Sequence, residues 1–199
     1  MNQLKEILST KKTFHNNRGM NLENDINISN QYYIDTNQAF IYKKPTPIKI
    51  NKVDYPTKNN RTAKIVIKEA YFESPSTTDY NGLYLGRYID FEAKETNNKE
   101  YFPLENIHKH QINHLRNIYL NDGVAFLIIR FMEYNKTYLL FADDFFYFLD
   151  NNTRKSIPLS YFEEKGHIIS EKYSPRLDYL KIVKEYMEVK YGKEEKYSW

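Results

Sequence analysis

Two carboxylates and a lysine stand at spacings that suit metal-assisted hydrolysis of a phosphodiester. Asp79 lies in the serine- and threonine-rich stretch "SPSTTDYNG", and Glu92 and Lys94 lie two residues apart in "GRYIDFEAKET". Side chains two apart on a strand share a face, so Glu92 and Lys94 point the same way. One aspartate, one glutamate and a neutral oxygen or two suit magnesium, and a nearby ammonium can stabilise a pentavalent phosphate. We therefore interpret these three residues as a candidate catalytic centre.

The strand that carries Glu92 has one polar face and one apolar face. The two kinds of residue alternate in the order Ile89, Asp90, Phe91, Glu92, Ala93 and Lys94. Such alternation predicts a half-buried strand. The alternative interpretation of its polar side is an ordinary solvated outer face. If the polar side is instead the floor of a catalytic site, we expect Asp90 to be a bystander.

Gln111 interrupts an apolar helical stripe. The stripe consists of Ile107, Gln111, Leu115 and Ile118, at spacings of four, four and three residues. This spacing places Gln111 on the face that packs against a sheet, where an amide without a partner is costly. The amide can bond to backbone or water. Alternatively, if the helix crosses the strand that bears Glu92, its oxygen can reach the metal site.

The neighbouring segment "HQINH", residues 110–114, resembles the two-histidine helix of zinc hydrolases. Gln111 stands where those enzymes need a glutamate general base, and no third ligand is evident. We therefore interpret three histidines as surface or near-site residues and not as zinc ligands: His108, His110 and His114.

Helical and strand periodicities alternate along the chain and predict an α/β fold. A helix is predicted over about 20–34, with Glu23 in its first turns as a supporting carboxylate, and another over about 104–120, with a proline at its start. Strands are predicted in "AFIYKK", "KIVIKEAYF", "GVAFLIIRFME" and "KTYLLFA", and "YNGLYLGRYIDFEAKE" is predicted to be a hairpin that turns at Asn81-Gly82. Short helices in "DDFFYFLDN" and "PLSYFEEKG" and a last helix in "PRLDYLKIVKEYMEVKYG" complete the layout.

Positive charge is concentrated in one segment, although the net charge of the 199 residues is only +3. Between Lys43 and Lys68, eight basic residues face one acidic residue, Asp54. Such a segment is typical of a surface that follows phosphates. The alternative is a solvated loop with lysines extending into water. A second basic stretch, over 5–18, has little apolar periodicity and is predicted to be a flexible arm.

Length and composition bound the remaining possibilities. A chain of this length suits one domain that buries roughly 70% of its unfolded surface, and we divide it into the arm, 1–18, and a single domain, 19–199. The chain has no cysteine, and its longest apolar runs, such as "VAFLII" at 124–129, are much shorter than a membrane span. We expect no membrane association and a cytoplasmic location, associated with the nucleoid when bound to DNA.

The order Asp, then Glu-x-Lys on a strand, then a helix with glutamine resembles the PD-(D/E)xK nucleases. Longer fragments resemble the RecU-type Holliday junction resolvases, and they run in one order from about Asn17 to Leu180: "NRGMNLENDI", "YKKPTPI", "IKEAYF", "SPSTTDYNG", "GRYIDFEAKET", "FPLENIHKHQ" and "SPRLDYL". The resemblance implies a restriction-endonuclease-like mixed central sheet flanked by helices.

The resemblance also implies a role for each residue of the site. Lys94 would stabilise the transition state, and magnesium, with manganese as a substitute, would be bound by Thr77, Asp79, Glu92 and Gln111. Family enzymes are two-fold dimers with a stalk that enters the junction. The basic segment at about 49–71 falls where that stalk belongs, with Arg61 at the position of its arginine, although the chain is a few residues longer there. The DNA-binding residues would be Arg18, Lys43, Lys44, Lys58, Arg61 and Lys64.

The function that these features predict is magnesium-dependent resolution of Holliday junctions by symmetric nicks, in homologous recombination and DNA repair. Partners would be four-way junction DNA, a second copy of the chain, a recombinase and a branch-migration helicase. Two alternatives stay open. One is a related nuclease that acts on other branched or damaged DNA, and the other is a non-catalytic DNA-binding or strand-annealing partner of the recombinase, which would not need Lys94 between two carboxylates.

Overall fold

The computed structural model describes residues 21–45, 47–55, 66–72 and 77–192. The helices within these ranges are α1 (Leu22–Asp35), α2 (Lys109–Leu120), α3 (Ala142–Asn151), α4 (Leu159–Lys165) and α5 (Tyr179–Tyr191). The strands are β1 (Phe40–Lys43), β2 (Ile48–Asp54), β3 (Val66–Phe72), β4 (Tyr80–Tyr84), β5 (Arg87–Thr96), β6 (Tyr101–Pro103), β7 (Val124–Phe131), β8 (Lys136–Phe141), β9 (Ser156–Pro158) and β10 (His167–Ile168). The predicted arm, 1–18, lies outside the described residues.

Six strands form a mixed central sheet in the order β1, β4, β5, β7, β8, β10. Only the central pair, β5 and β7, is parallel, and the connection between them contains α2. A parallel pair needs a crossover of this kind, whereas the antiparallel neighbours do not. All eight residues of β7 are buried, because helices cover both faces of the sheet. This architecture confirms the predicted restriction-endonuclease-like α/β fold.

Each face of the sheet has its own apolar core. On one face, α1 and α5 cover Phe91 of β5 and Phe126 of β7. On the other face, α2, α3 and α4 cover Leu127 and Ile129 of β7. Asp90, Glu92 and Lys94 of β5 point toward the second face, beside α2. The site residues are therefore held by a strand at the centre of the sheet and by a helix packed upon it.

The hairpin prediction was correct in its two strands and wrong in its turn. The chain reverses at Leu85-Gly86, where both residues have positive φ (45° and 75°), and not at Asn81-Gly82. Gly82 instead lies inside β4, where a Cβ atom would come within 2.1 Å of the Phe40 carbonyl oxygen of β1. The close packing of β1 against β4 therefore explains why residue 82 is a glycine. The Asn-Gly pair, which suggested a turn, results from this packing.

The helix predicted over 104–120 begins later than expected. Residues Leu104–Asn106 form one 3-10 turn, and α2 starts at Lys109 with His108 as its N-cap. The proline that suggested the helix start, Pro103, ends β6, which pairs with β9. The other four predicted helices and the predicted strands agree with α1, α3, α4, α5, β1, β3, β7 and β8 within a few residues.

The described part of the basic segment is a separate two-stranded antiparallel sheet. Ile48 pairs with Phe72 and Asp54 with Val66, with register shifts around Lys52. Nearly every described side chain of this pair is exposed. None of the helices in the described ranges has the length and apolarity needed to cross a membrane.

A buried ion pair joins α1 to the sheet. Nη2 of Arg130 lies 2.7 Å from Oδ2 of Asp25, and both side chains are at most 3% exposed. That nitrogen is not aligned for a hydrogen bond, so charge attraction dominates the contact. Glu95 of β5 also accepts a hydrogen bond from the backbone N–H of Leu22, at 2.6 Å. These contacts fix the first turn of α1, which carries Glu23, against the strand that carries Glu92.

Candidate active site

Strand pairing brings Asp79 and Glu92 together. Tyr80 of β4 is paired with Phe91 of β5, so Asp79 stands opposite Glu92. The backbone N–H of Asp79 donates to Oε2 of Glu92 at 3.1 Å, and the N–H of Ala93 donates to Oδ2 of Asp79 at 3.2 Å. Each carboxylate is therefore held by the backbone of the other strand. The two acidic groups converge, as the sequence predicted.

Lys94 lies beside both carboxylates. Its Nζ forms an ion pair with Oε1 of Glu92 and lies 3.8 Å from Oδ2 of Asp79. The Glu92 side chain is fully buried, whereas those of Lys94 and Asp79 are 28% and 31% exposed. The interpretation of this strand face as an ordinary solvated surface is thus wrong, since Glu92 and Asp90 have no exposed area.

Burial and charge shift the pKa of two of these groups. Burial, followed by the charge of Asp79, raises the pKa of Glu92 from 4.5 to about 7, although Lys94 acts in the opposite direction. Burial lowers the pKa of Lys94, but its hydrogen bond and charge interactions with Glu92 and Asp79 outweigh that effect, and the net pKa is raised. Lys94 is therefore a permanent cation, and the repulsion between the carboxylates would be relieved by a bound cation.

Gln111 reaches the backbone and the site at once. Its Nε2 donates to Oε1 of Glu92 at 2.7 Å, and its Oε1 accepts from the backbone N–H of His108 at 2.9 Å. The second contact belongs to a capping box at the start of α2. The sequence left two kinds of partner open for the Gln111 amide, the backbone and the site, and the amide contacts both. The atom that faces Glu92 is the amide nitrogen.

A cleft of about 200 Å³ opens beside these residues. It is lined by Asn21, Leu22, Glu23, Asp79, Tyr80, Ala93, Lys94 and Glu95. Glu23 lines the same cleft as Asp79 and Lys94 and forms an exposed ion pair with Lys43 at 2.6 Å. Within the described ranges no group of three or more His, Cys, Asp or Glu side chains could hold a metal. The donor set is therefore two carboxylates with neutral oxygens, a set that suits Mg²⁺, which keeps several waters.

The predicted DNA-binding residues fall into three groups. Lys43 is exposed at the end of β1. Lys44 is not, because its side chain is 14% exposed and faces Asp90 at 2.7 Å. The others lie outside the described residues: Arg18, Lys58, Arg61 and Lys64.

A polar cluster beside the carboxylates was not predicted. Asp90, expected to be a bystander, accepts hydrogen bonds from Thr78 and from Tyr88 (2.9 Å), and Nε2 of His114 lies 3.1 Å away. Thr77 joins this cluster, since its hydroxyl accepts from Lys44 at 3.1 Å. The alternating faces of β5 were the available signal, because they place Asp90 on the face of Glu92. The rings of His108 and His110 stack on each other, away from this contact of His114.

The mixed sheet, with Asp79 and Glu92-Ala93-Lys94 on adjacent strands and a helix across them, defines a restriction-endonuclease-like protein. Residues 17–185 match the family model described as Recombination protein U, RecU. A protein of Bacillus cytotoxicus named "Holliday junction resolvase RecU" is 51% identical over 176 residues, which cover 87% of this chain and 86% of that protein. Proteins of the same name from Bacillus mycoides (50%, covering 87% and 86%) and Geobacillus sp. (49%, covering 85% and 84%) are similar. The chain belongs to the RecU family.

Proposed function

We propose that this chain is a magnesium-dependent Holliday junction resolvase that nicks four-way DNA junctions symmetrically. The enzyme is a hydrolase of DNA phosphodiester bonds. The observation that carries the proposal is the reciprocal contact of Asp79 and Glu92, with the Lys94 ammonium beside both. Family membership supports the substrate, because the relatives are named for Holliday junctions.

Magnesium would be held by Asp79 and Glu92, with Thr77 as a neutral donor, and manganese would substitute for it. Gln111, the other donor that the resemblance implies, presents its amide nitrogen to Glu92 here and would bind the ion only if its side-chain oxygen turned toward the site. The fit rests on the convergence of the two carboxylates, each held by the backbone of the other strand. A bound cation would also lower the pKa of Glu92, which burial and the charge of Asp79 raise. When bound, the ion polarises a phosphate oxygen and lowers the pKa of its water. The cleft beside Glu23 gives water and a phosphate access to Asp79 and Lys94.

The side chains of this site provide charge and position. Lys94 remains protonated and places its ammonium next to the reacting phosphate, where it stabilises the negative charge of the transition state. Gln111 keeps Glu92 in place through the hydrogen bond from its amide nitrogen. Glu23 supports the site from the opposite wall of the cleft, with Lys43 oriented by their ion pair.

Junction recognition is assigned to the basic segment at about 49–71. Its described part, the β2–β3 pair, is exposed and carries Lys49, Lys52 and Lys68. As a stalk, it would fill the open centre of a four-way junction, with Lys58, Arg61 and Lys64 contacting phosphates together with Lys43 and Arg18. Phosphate contacts of this kind supply affinity, whereas insertion into the crossover supplies selectivity for shape.

The active enzyme is proposed to be a homodimer, since two sites related by a two-fold axis make two symmetric cuts. An apolar patch on neighbouring strands supports association: Phe40, Tyr42, Leu83 and Tyr88 are each 40% to 55% exposed. Phe40 is paired with Leu83, and Leu83 with Tyr88, so these side chains share one face. A recombinase and a branch-migration helicase are the proposed partners, in the cytoplasm at the nucleoid.

The proposal is tested by incubating the protein with a mobile four-way junction, a flap and a linear duplex, with and without Mg²⁺. Paired nicks at symmetric positions, confined to the junction and dependent on Mg²⁺, are expected. Asp79→Asn and Glu92→Gln should each abolish cleavage and leave junction binding nearly unchanged, because both remove metal charge without altering the basic surface. Full activity of either variant would refute the assignment. Equal cleavage of the flap would favour a nuclease for other branched DNA, and binding without cleavage a non-catalytic partner.

The stalk is tested separately, by replacing residues 53–63 with a short Gly-Ser turn. Loss of Lys58 and Arg61 should weaken all DNA binding and flatten the log–log salt dependence by roughly 2 units. A segment that enters the crossover should in addition cost much more affinity for the junction than for a duplex of equal length. Competition binding at fixed salt measures both, and light scattering checks that the variant is folded and dimeric. Equal losses on the two substrates would mean a general phosphate-binding arm.

A further inference from the structure

The inference concerns the polar cluster next to the proposed active site and rests on the function proposed above. Its centre is Asp90, which lies on the same face of β5 as Glu92 and is 0% exposed. A buried carboxylate is costly unless charges and hydrogen bonds compensate it. Here the compensation is complete: one oxygen accepts from Thr78, and the other has Lys44, Tyr88 and His114 within 2.7, 2.9 and 3.1 Å.

The ammonium protons of Lys44 are all used in contacts within the protein. An ammonium has three donors, and Nζ of Lys44 has four polar neighbours, Asp90 at 2.7 Å, Thr78 at 2.6 Å, Thr77 at 3.1 Å and Nε2 of His114 at 3.5 Å. Its side chain is 14% exposed, in contrast to 43% for Lys43, its neighbour. A DNA phosphate could bind Lys44 only by displacing one of these partners, of which Thr78 and Asp90 are buried and Thr77 is exposed. This geometry is unlike that of a residue that follows the DNA backbone.

Lys44 and Asp90 both contact the turn that carries Asp79. The side chain of Lys44 holds the hydroxyls of Thr77 and Thr78, and Asp90 holds the Thr78 hydroxyl from the other side. The backbone N–H of Lys44 also donates to the carbonyl oxygen of Asp79 at 2.8 Å. The turn 77–79 is thus fixed at three consecutive residues.

We propose that Lys44 and Asp90 are positioning residues that set the place of the Asp79 carboxylate and thereby the affinity of the site for a divalent cation. Lys44 is then not a phosphate-binding residue, despite its place in the basic segment. Partners that orient a metal ligand without touching the metal commonly change its affinity 10- to 100-fold. The test must separate this role from phosphate binding and from a purely structural ion pair.

The experiment uses Lys44→Met and Thr78→Val on the full chain. Binding of Mn²⁺ to the DNA-free protein is measured by electron paramagnetic resonance of the free ion, and junction binding is measured in EDTA across a range of NaCl. We expect Mn²⁺ affinity to fall about 10-fold or more in both variants. Junction affinity and its salt dependence should stay the same. If Lys44→Met does not fold, Thr78→Val alone decides the test, because Thr78→Val removes a hydroxyl and leaves no buried charge unpaired.

Two further variants serve as controls. Thr78→Ser keeps the hydroxyl and should retain most of the Mn²⁺ affinity that Thr78→Val loses. Lys99→Met removes a lysine with a comparable 2.7 Å ion pair, to Glu133, from an exposed position and should change neither quantity.

Two outcomes would overturn the proposal. A salt dependence flatter by about 1 unit in Lys44→Met, with Mn²⁺ affinity intact, would make Lys44 a phosphate contact. If the variants fold and neither their Mn²⁺ affinity nor their DNA binding changes, the contact between Lys44 and Asp90 is only a structural ion pair. Failure of the proposed function would look different, since the wild-type protein itself would then bind no Mn²⁺.

Discussion

Replacing Glu92 by glutamine should stabilise the metal-free protein at alkaline pH while it abolishes cleavage. The Glu92 side chain is fully buried, and its ionised form faces the charge of Asp79. Glutamine keeps the shape of this side chain and removes its charge. It also loses the ion pair with Lys94, but that pair exists only while Glu92 is ionised, and its favourable effect is already included in the pKa of Glu92. The pH dependence of the difference between variant and wild type therefore isolates the cost of the buried carboxylate.

The size and sign of the effect follow from the pKa of Glu92, which burial and then Asp79 raise from 4.5 to about 7. Between these values the folded state binds more protons than the unfolded state, so the free energy of unfolding falls as pH rises from about 4.5 to 7 and is constant above. At 1.36 kcal/mol per unit, the charge of Glu92 costs the wild type on the order of 3 kcal/mol at pH 8. Glu92→Gln avoids this cost.

The assay is thermal unfolding of both proteins in EDTA at several pH values between 4.5 and 8. The melting temperature of the variant, relative to wild type, should rise by roughly 6–12 °C across this range. Glu133→Gln, which alters an exposed carboxylate, should show no such trend. Saturating Mg²⁺ should stabilise the wild type at pH 8 and have little effect on Glu92→Gln. A difference that does not change with pH, or that falls, would refute a buried and destabilising charge at Glu92.

Three other substitutions test the site and the fold. Lys94→Ala should still bind metal and junction but should lose on the order of 10²–10³ in cleavage rate under single-turnover conditions, and a rate within twofold of wild type would exclude its role in charge stabilisation. Gly82→Ala should strongly lower the denaturation midpoint, since its Cβ would lie 2.1 Å from the Phe40 carbonyl oxygen. Asp25→Asn should lower the free energy of unfolding in urea by about 3 kcal/mol, because the buried Arg130 would lose its 2.7 Å partner and keep only Glu171 at 3.7 Å and Glu95 at 4.0 Å, and a loss below 1 kcal/mol would contradict the buried pair.

The sequence predicted what depends on local periodicity. Alternation placed Glu92 and Lys94 on one face of a strand, and helical spacing placed Gln111 on the buried face of α2. These predictions succeed because the helix and strand periods hold wherever an element packs on a core. The convergence of Asp79 with Glu92 was also accessible, since the two strands follow one another along the chain.

The sequence was least informative where packing between distant segments decides. Lys44 belongs to a run of positive charge, and nothing in that run indicates that the pairing of β1 with β4 places its ammonium against Asp90, 46 residues away. Gly82 follows an asparagine, which suggests a turn, but the approach of β1 requires a residue without Cβ there. Neither contact leaves a periodic signal, because each depends on which strands become neighbours in the sheet.

The proposed cation site depends on two carboxylates that cannot move apart. Asp79 and Glu92 are each anchored by a backbone N–H of the opposite strand, at 3.2 and 3.1 Å, so separation would break strand contacts. The Asp90 cluster fixes the Asp79 turn, and Gln111 fixes Glu92 from the helix side. Repulsion that would be relaxed in a mobile site is therefore retained in the folded protein, and together with burial, the larger cause, it raises the pKa of Glu92. Weakening either anchor should lower metal affinity and relieve the instability at high pH together, so the two quantities should change in parallel across the variants.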